Sequence, residues 1–292
     1  MKRIFGKDVW KNVLGMNARN ARVAAENPPE AIRLVDSKYE TKKVLEEAGV
    51  PVSPTILVVR DRRDIANLDW EDLPDGWVLK PDRGRQGIGL VIATSREGPG
   101  WCMSSGDFLG RDEIVNRLHF ILDGEFSSEG VEEDRAFFEP LIVAHPALAS
   151  LVPSGLPDVR LVCHREKVLL GMIRLPTEAS SGRANLHQSA IGALVELDSG
   201  RITRAMLGEE RIEDHPDTGE RLIGVEVPGW ETIMEVAPRC SEATGLGYLG
   251  VDAVVDEEQG PLVLEVNARP GLEIQNVAGI GLAELISNTD PR

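Results

Sequence analysis

Apolar and polar positions alternate most clearly near the end of the chain. Val251–Asp256 and Leu262–Asn267 are rich in β-branched and aliphatic residues, and Glu258, Gln259, Gly260 and Pro261 between them are turn formers. The stretch from Tyr248 to Gly271 therefore predicts a hairpin. Period two puts Leu262, Leu264 and Val266 on one face of its second strand and Val263, Glu265 and Asn267 on the other. With the turn centred on Glu258 and Gln259, Asp252 faces Glu265, with Cβ atoms about 5 Å apart. A second hairpin is predicted over DVRLVCHREKVLLGMIRL. With Arg165, Glu166 and Lys167 as its loop, Arg174 stands across from Asp158, on the face of Arg160. A slip of one residue would turn Arg174 away.

Helical spacing appears in residues 1–27, where Ile4, Phe5, Val9, Val13 and Leu14 form a stripe that Asn27, Pro28 and Pro29 end. A second helix is predicted from Asp36 or Ser37 to Ala48, with Gly49 and Pro51 as stop signals and Ser37 with Glu40 as a capping box. Further helices are expected over Asp112–Leu122 and, packed on the final hairpin, Trp230–Thr244. Thr55–Arg60, Trp77–Lys80, Leu90–Ala93 and Phe137–Val143, kinked at Pro140, read as strands. Residues 176–190 and 211–229 are polar, and the first of these has the composition of a loop able to close over a site.

The 292 residues are 42% apolar and 27% charged, with 32 Lys and Arg against 48 Asp and Glu, a formal charge of −16. That balance argues against nucleic acid as the main partner. Cys102, Cys163 and Cys240 are far apart and fit reduced thiols rather than a disulfide or zinc framework. No stretch approaches the roughly 18 apolar residues of a membrane span, and MKRIFGKDVW lacks a signal peptide's apolar core, so the expected location is the cytoplasm.

Two carboxylates facing each other repel. Asp252 and Glu265 either sit on a wet face of the sheet or, with the Asn267 amide, make a set of hard oxygen ligands suited to Mg²⁺. Lys38 falls in the first turn of its helix, where the dipole disfavours a cation, so it is either solvated or waiting for an anion. Lys80 ends a strand and is followed by Gly84, Gly87 and Gly89, a loop whose backbone could approach phosphate. No Gly-Lys-Ser/Thr follows, which excludes a P-loop. Gly245, Gly247 and Gly250 match a dinucleotide fingerprint, but in the order helix then strand, which excludes a Rossmann site. Neither His187 nor His215 has a metal-spaced partner, and no Gly-x-Ser-x-Gly elbow is present. The basic first helix, with Lys2, Arg3, Lys7, Lys11, Arg19 and Arg22, either docks on the body or lies on an anionic membrane surface.

Lys38 in DSKYETK, Lys80 in VLKPDRGRQGIG, Glu139 in FFEPLIV, and Asp252, Glu265 and Asn267 in GVDAVV and LEVNARPG occur in the order found in the ATP-grasp superfamily. More narrowly, the chain resembles the α-L-glutamate ligase-like family, related to the ligases that add glutamate to ribosomal protein. MNARN, RLVDSKYETK, GLPDVR, RLPTEASSGRANLHQ, HPDTG, TGLGYLGVD and GPLVLEVNARPGLEIQN carry that resemblance from Met16 to Leu282. It implies an α+β ATP-grasp fold of two lobes clasping ATP, with a helical N-terminal extension over 1–35, a first lobe over 36–138 and a second over 139–292. Lys38, Lys80, Gln86 and Gly87 would contact ATP, and Glu139, Pro140, Leu141 and Ile142 would hold its adenine. Asp252, Glu265 and Asn267 would bind one or two Mg²⁺, or Mn²⁺ in its place. Arg183 and Asn185 would reach the phosphates from the loop, and Arg160, Arg174 and Arg269 would lie near the transferred phosphate or the substrate carboxylate.

The implied reaction joins a carboxylate, glutamate or another amino acid among the candidates, to an amine through an acylphosphate. The acceptor is a small molecule, a peptide or a protein. Two other functions fit: a phosphotransferase of the same fold, and a non-catalytic ATP-binding module acting with a partner, at a membrane or as a homo-oligomer. Two departures from the family stand out. Only 37 residues precede Lys38, where many relatives carry a substrate domain, and Asp82, Arg83 and Arg85 make the phosphate loop unusually charged.

Overall fold

The structure is a computed structural model that describes residues 12–84, 87–127 and 133–289. Three helices open it: α1 (Met16–Glu26), α2 (Pro29–Val35) and α3 (Lys38–Glu47). Next come β1 (Leu57–Val59), α4 (Arg62–Ala66), β2 (Trp77–Pro81), β3 (Val91–Glu97), β4 (Gly100–Met103), β5 (Phe108–Leu109), α5 (Arg111–Leu122) and β6 (Ala136–Pro140). The chain continues through α6 (Pro146–Ala149), β7 (Asp158–His164), β8 (Lys167–Leu175), β9 (Ile191–Val195), β10 (Ile202–Leu207), β11 (Glu210–Ile212) and α7 (Trp230–Thr244). It ends with β12 (Tyr248–Asp256), β13 (Gly260–Asn267), α8 (Ile274–Ala278) and α9 (Leu282–Ser287).

The contacts divide the chain into a larger unit, from the described residues of Met1–Val35, Thr41–Val52 and Val143–Arg292, and a smaller one, Asp36–Glu40 with Ser53–Ile142. This differs from the three expected segments. Residues 12–35 are no separate extension, because Val23 of α1 and Ala31 and Val35 of α2 are buried in the larger unit's cores. The stripe residues Ile4, Phe5 and Val9, and Lys2, Arg3, Lys7 and Lys11, lie outside the described residues. Asn27, Pro28 and Pro29 end α1 as expected, and Pro29 also starts α2, since proline suits a first helical turn whose N–H groups have no intrahelical partner.

The smaller unit is an antiparallel sheet in the order β1-β6-β2-β3-β4-β5. β2 alternates as its sequence suggests, with Trp77 and Leu79 buried and Lys80 facing outward. Trp77 packs edge-on against Trp101 at 5.5 Å and Phe138 at 5.1 Å, and Ile114, Leu118 and Ile121 of α5 close that core.

The larger unit is an antiparallel sheet in the order β11-β10-β9-β8-β7-β12-β13. Its odd-numbered β7 residues Val159 and Leu161 enter the core with Ile233, Val236 and Cys240 of α7. The even-numbered Val162 and, on β8, Met172 face a second core with Val23 of α1, Ile274 and Val277 of α8 and Leu282 of α9. Asp158, Arg160 and Arg174 share this second face by the alternation of the strands. Cys102, Cys163 and Cys240 are free thiols, and no described helix is long and apolar enough to cross a membrane.

Both central hairpins turn more tightly than their sequences suggest. The β7–β8 turn is two residues, Arg165 and Glu166, both with positive φ, the mirror-image turn that matches strand twist. It pairs His164 with Lys167, and carried straight on it would set Asp158 against Ile173. A bulge between Val162 and Cys163 restores Asp158 to Arg174. The β12–β13 turn closes Asp256 on Gly260, and Asp256 Oδ1 accepts from the amides of Glu258 at 3.0 Å and Gln259 at 2.9 Å. Straight pairing would put Asp252 against Leu264, and a bulge between Asp252 and Ala253 returns it to Glu265. The bulge also corrects the expected faces of β13. Val263 joins Val266 in the α7 core, rather than sharing a face with Glu265 and Asn267.

Candidate active site

In the smaller unit, the start of α3 is built on a buried carboxylate. Asp82, fully buried, accepts from Ser37 Oγ at 2.8 Å, from the Tyr39 amide at 2.8 Å and from Arg135 Nε at 3.2 Å. It satisfies the unpaired amide of the first turn and supplies the negative charge that a helix N-terminus favours. The Lys38 amide donates to Asp82 O at 3.2 Å and its Nζ to Gly84 O. The charge of the loop after β2 is thus partly internal to the fold. Asp134 continues the pattern, accepting from the Arg83 amide at 3.1 Å and from Ser127 Oγ at 2.6 Å, and burial pushes its carboxyl up. The sequence reading saw Asp82 only as part of a charged loop and missed Asp134.

Lys80 Nζ forms an ion pair with Glu139 Oε2, joining adjacent strands β2 and β6. Of the segment expected to hold adenine, Pro140 pairs with Trp77 in the ladder, and the Leu141 amide already donates to Gly76 O at 3.1 Å. That removes one of the expected donors. Gly87 has positive φ, and a Cβ added there would meet no atom of the described residues within 4 Å. Gln86 lies outside the described residues.

In the larger unit, one crosswise row runs Glu265, Asp252, Arg160, Met172 over four adjacent strands. Arg160 grips Asp252 with both Nε and Nη2, the latter at 2.5 Å. Arg174 bridges two acids, donating to Asp158 at 2.5 and 2.6 Å and to Asp252 Oδ2 at 3.1 Å. Burial pushes the Asp252 carboxyl up, but Arg160 and Arg174 together overcome it and hold it below the usual carboxylate range. Burial raises Asp158 to about 6 against the pull of Arg174. The repulsion expected at Asp252 is therefore relieved by arginines of the neighbouring hairpin. Glu265 makes no hydrogen bond or ion pair among the described residues, and Asn267 Nδ2 lies 3.4 Å from Asp252 Oδ2.

These oxygens fit a hard divalent cation in part. Among the described residues no group of three His, Cys, Asp or Glu side chains is placed to hold a metal. A cation here would draw on Glu265, Asp252 and the Asn267 oxygen and complete its shell from phosphate and water, as Mg²⁺ commonly does.

The loop after β8 is better anchored than its composition suggests. Thr177 and Ser180 are buried and bond to each other through both side chains. His215, also buried, donates from Nε2 to Pro176 O at 3.0 Å while its Nδ1 accepts from the Asp217 amide, which fixes the orientation of the ring. Farther on, Asn185 caps a short turn through the His187 amide at 3.0 Å. The guanidinium groups of Arg183 and Arg269 are exposed and make no ion pair among the described residues.

The fold is that of the ATP-grasp ligases. It matches a D-alanine–D-alanine ligase from Bacillus anthracis complexed with ATP at a TM-score of 0.52, with 16% identity over 94% of this chain and 72% of that one. The model of the sugar-transfer associated ATP-grasp family matches residues 18–291, and the chain belongs to that family. Among curated relatives, a probable alpha-L-glutamate ligase of Xanthomonas axonopodis pv. citri is 47% identical over 266 residues, covering 89% of this chain and 66% of that protein. One of Mannheimia succiniciproducens is 25% identical over 258 residues, covering 88% and 64%. The chain thus spans about two thirds of the length of these relatives.

Proposed function

We propose that the chain is an ATP- and Mg²⁺-dependent carboxylate–amine ligase. The observation that carries this reading is the facing pair Asp252 and Glu265, in which one carboxylate is neutralised by arginines and the other has no hydrogen-bond or ion-pair partner among the described residues. Glu265, Asp252 and Asn267 would hold Mg²⁺, which when bound neutralises phosphate charge. Lys38 and Lys80 would contact the ATP phosphates, with Arg183 and Asn185 added from the loop, and the remaining backbone groups of Glu139–Ile142 would receive adenine. Arg160, Arg174 and Arg269 would stabilise the transferred phosphate or orient the substrate carboxylate.

The substrate carboxylate oxygen attacks the γ-phosphorus, the bond to the β–γ bridging oxygen breaks, and ADP leaves. An amine nitrogen then attacks the acyl carbon, the bond to the phosphate oxygen breaks, and the amine loses a proton. Positioning and charge neutralisation suffice for the phosphoryl step, and no side-chain nucleophile is needed. The names of the relatives put glutamate among the carboxylates to be offered, and the sugar transfer in the family's name adds sugars that carry an amine or a carboxylate to the panel.

ADP release from Mg²⁺–ATP, measured with pools of amino acids, peptides and these sugars and followed by mass spectrometry, tests the reading. Amide product that depends on the pool and disappears in the Asp252→Ala/Glu265→Ala variant supports it. ADP with a phosphorylated product and no amide would instead show a phosphotransferase.

A further inference from the structure

We propose that α1 is a positioning element of the candidate site, with Arg19 and Asn27 holding the turn that carries Asn267 and Arg269; this rests on the ligase reading above. Three consecutive carbonyls follow Asn267, and each accepts from a side chain at one end of α1. Asn27 Nδ2 donates to Ala268 O at 3.3 Å, and Arg19 Nη1 donates to Arg269 O at 3.4 Å and Pro270 O at 3.2 Å. Asn27 also pairs with both backbone groups of Tyr248, donating to its carbonyl at 2.8 Å and accepting from its amide at 2.9 Å. One buried amide therefore ties the start of β12 to the end of β13.

The Arg19 guanidinium is itself fixed, because its Nε and Nη2 both donate to Asn20 Oδ1, at 3.1 and 3.0 Å. In a chain with a formal charge of −16, it faces main-chain carbonyls and makes no ion pair with a carboxylate among the described residues. The turn it holds has little slack. A Cβ on Gly250 would stand 2.7 Å from Pro270 Cβ and 3.5 Å from Arg160 Cδ. Displacing Pro270 would therefore disturb the backbone two residues before Asp252, beside the arginine that neutralises it. The far end of α1 is anchored as well, since Glu26 O accepts from the Gly247 amide at 3.3 Å and the Glu26 carboxylate binds Arg165. The helix thus fixes where the Asn267 amide and the Arg269 side chain start, without touching a ligand itself.

Mn²⁺–ATP binding, read from the electron paramagnetic resonance signal of free Mn²⁺, tests this without relying on turnover. Arg19→Gln should bind Mn²⁺–ATP about tenfold more weakly than wild type, as expected for a residue that orients ligands rather than supplying them. Arg19→Lys should recover part of the loss. Arg33→Gln, which removes the same charge from an exposed position on α2, should stay within about twofold. Amide exchange over 267–271 should quicken in Arg19→Gln. Wild-type affinity in Arg19→Gln, or an equal loss in Arg33→Gln, would overturn the positioning role while leaving the ligase reading intact. A wild-type chain that binds no Mn²⁺–ATP would overturn both.

Discussion

Across β7 and β8 the facing pair is Asp158 and Arg174; across β12 and β13 it is Asp252 and Glu265. The two hairpins share a tight turn and a bulge that sets the pairing, yet one brings opposite charges together and the other like charges. An opposed acid and base satisfy each other, so the first hairpin completes its own electrostatics. The second cannot, and it draws Arg160 and Arg174 from the first to neutralise Asp252. Glu265, on the strand at the sheet's edge, receives neither. Within that row of charges, Glu265 is therefore the carboxylate left without a cationic partner among the described residues.

The largest test removes the shared acid. Asp252→Ala leaves Arg160 without a partner and Arg174 with only Asp158, and should cost about 3–5 kcal/mol in denaturant unfolding as well as abolishing ADP release. A loss below about 1 kcal/mol would show that the two hairpins are not electrostatically coupled. Asp158→Asn should cost less, about 2 kcal/mol, because Arg174 keeps Asp252. Glu265→Gln should separate stability from binding. It weakens Mn²⁺–ATP about tenfold, yet raises metal-free stability by a few tenths of a kcal/mol because a like-charge pair disappears. Loss of both would mean that Glu265 has a structural partner after all.

The smallest effect concerns how the first turn is anchored. Arg165 binds Glu26 and, despite burial, holds its carboxyl down to about 2, against an ordinary value of 4.5. A depressed native value means that the unfolded chain binds the proton more tightly. The contribution is therefore complete above about pH 4.5 and lost as pH falls toward 2. Melting temperature followed over that window should fall less steeply in Glu26→Gln than in wild type. Parallel curves would show that the ion pair does not form.

The two facing pairs were legible in the sequence because alternation and turn chemistry are local, and α7 matched its expected bounds, flanked by Gly229 and Gly245. The bulges were not legible. Each compensates a turn one residue tighter than expected, so the predicted partners were right although the predicted path to them, and the face of Val263, were not. The partners of Asp82 and Asn27 were not legible for a different reason. Asp82 acts on a helix some 45 positions away, and Asn27 on Tyr248, 221 positions away. In one dimension the first looks like part of a charged loop and the second like a helix stop. Only when β2 and β12 are in place do these residues acquire their partners.

The aromatic core of the smaller unit has an optical consequence. The chain has five tryptophans, and besides Trp10, which lies outside the described residues, Trp70, Trp77 and Trp101 belong to the smaller unit, while Trp230 alone belongs to the larger. Trp77 and Trp101 meet edge-on at 5.5 Å, close enough for their excited states to couple. Near-ultraviolet circular dichroism should therefore follow the smaller unit preferentially, and Trp230→Phe would leave that signal almost unchanged. The charge lattice of the larger sheet contains no chromophore, so its disruption would have to be observed by another probe, and the two units can be watched separately in one sample.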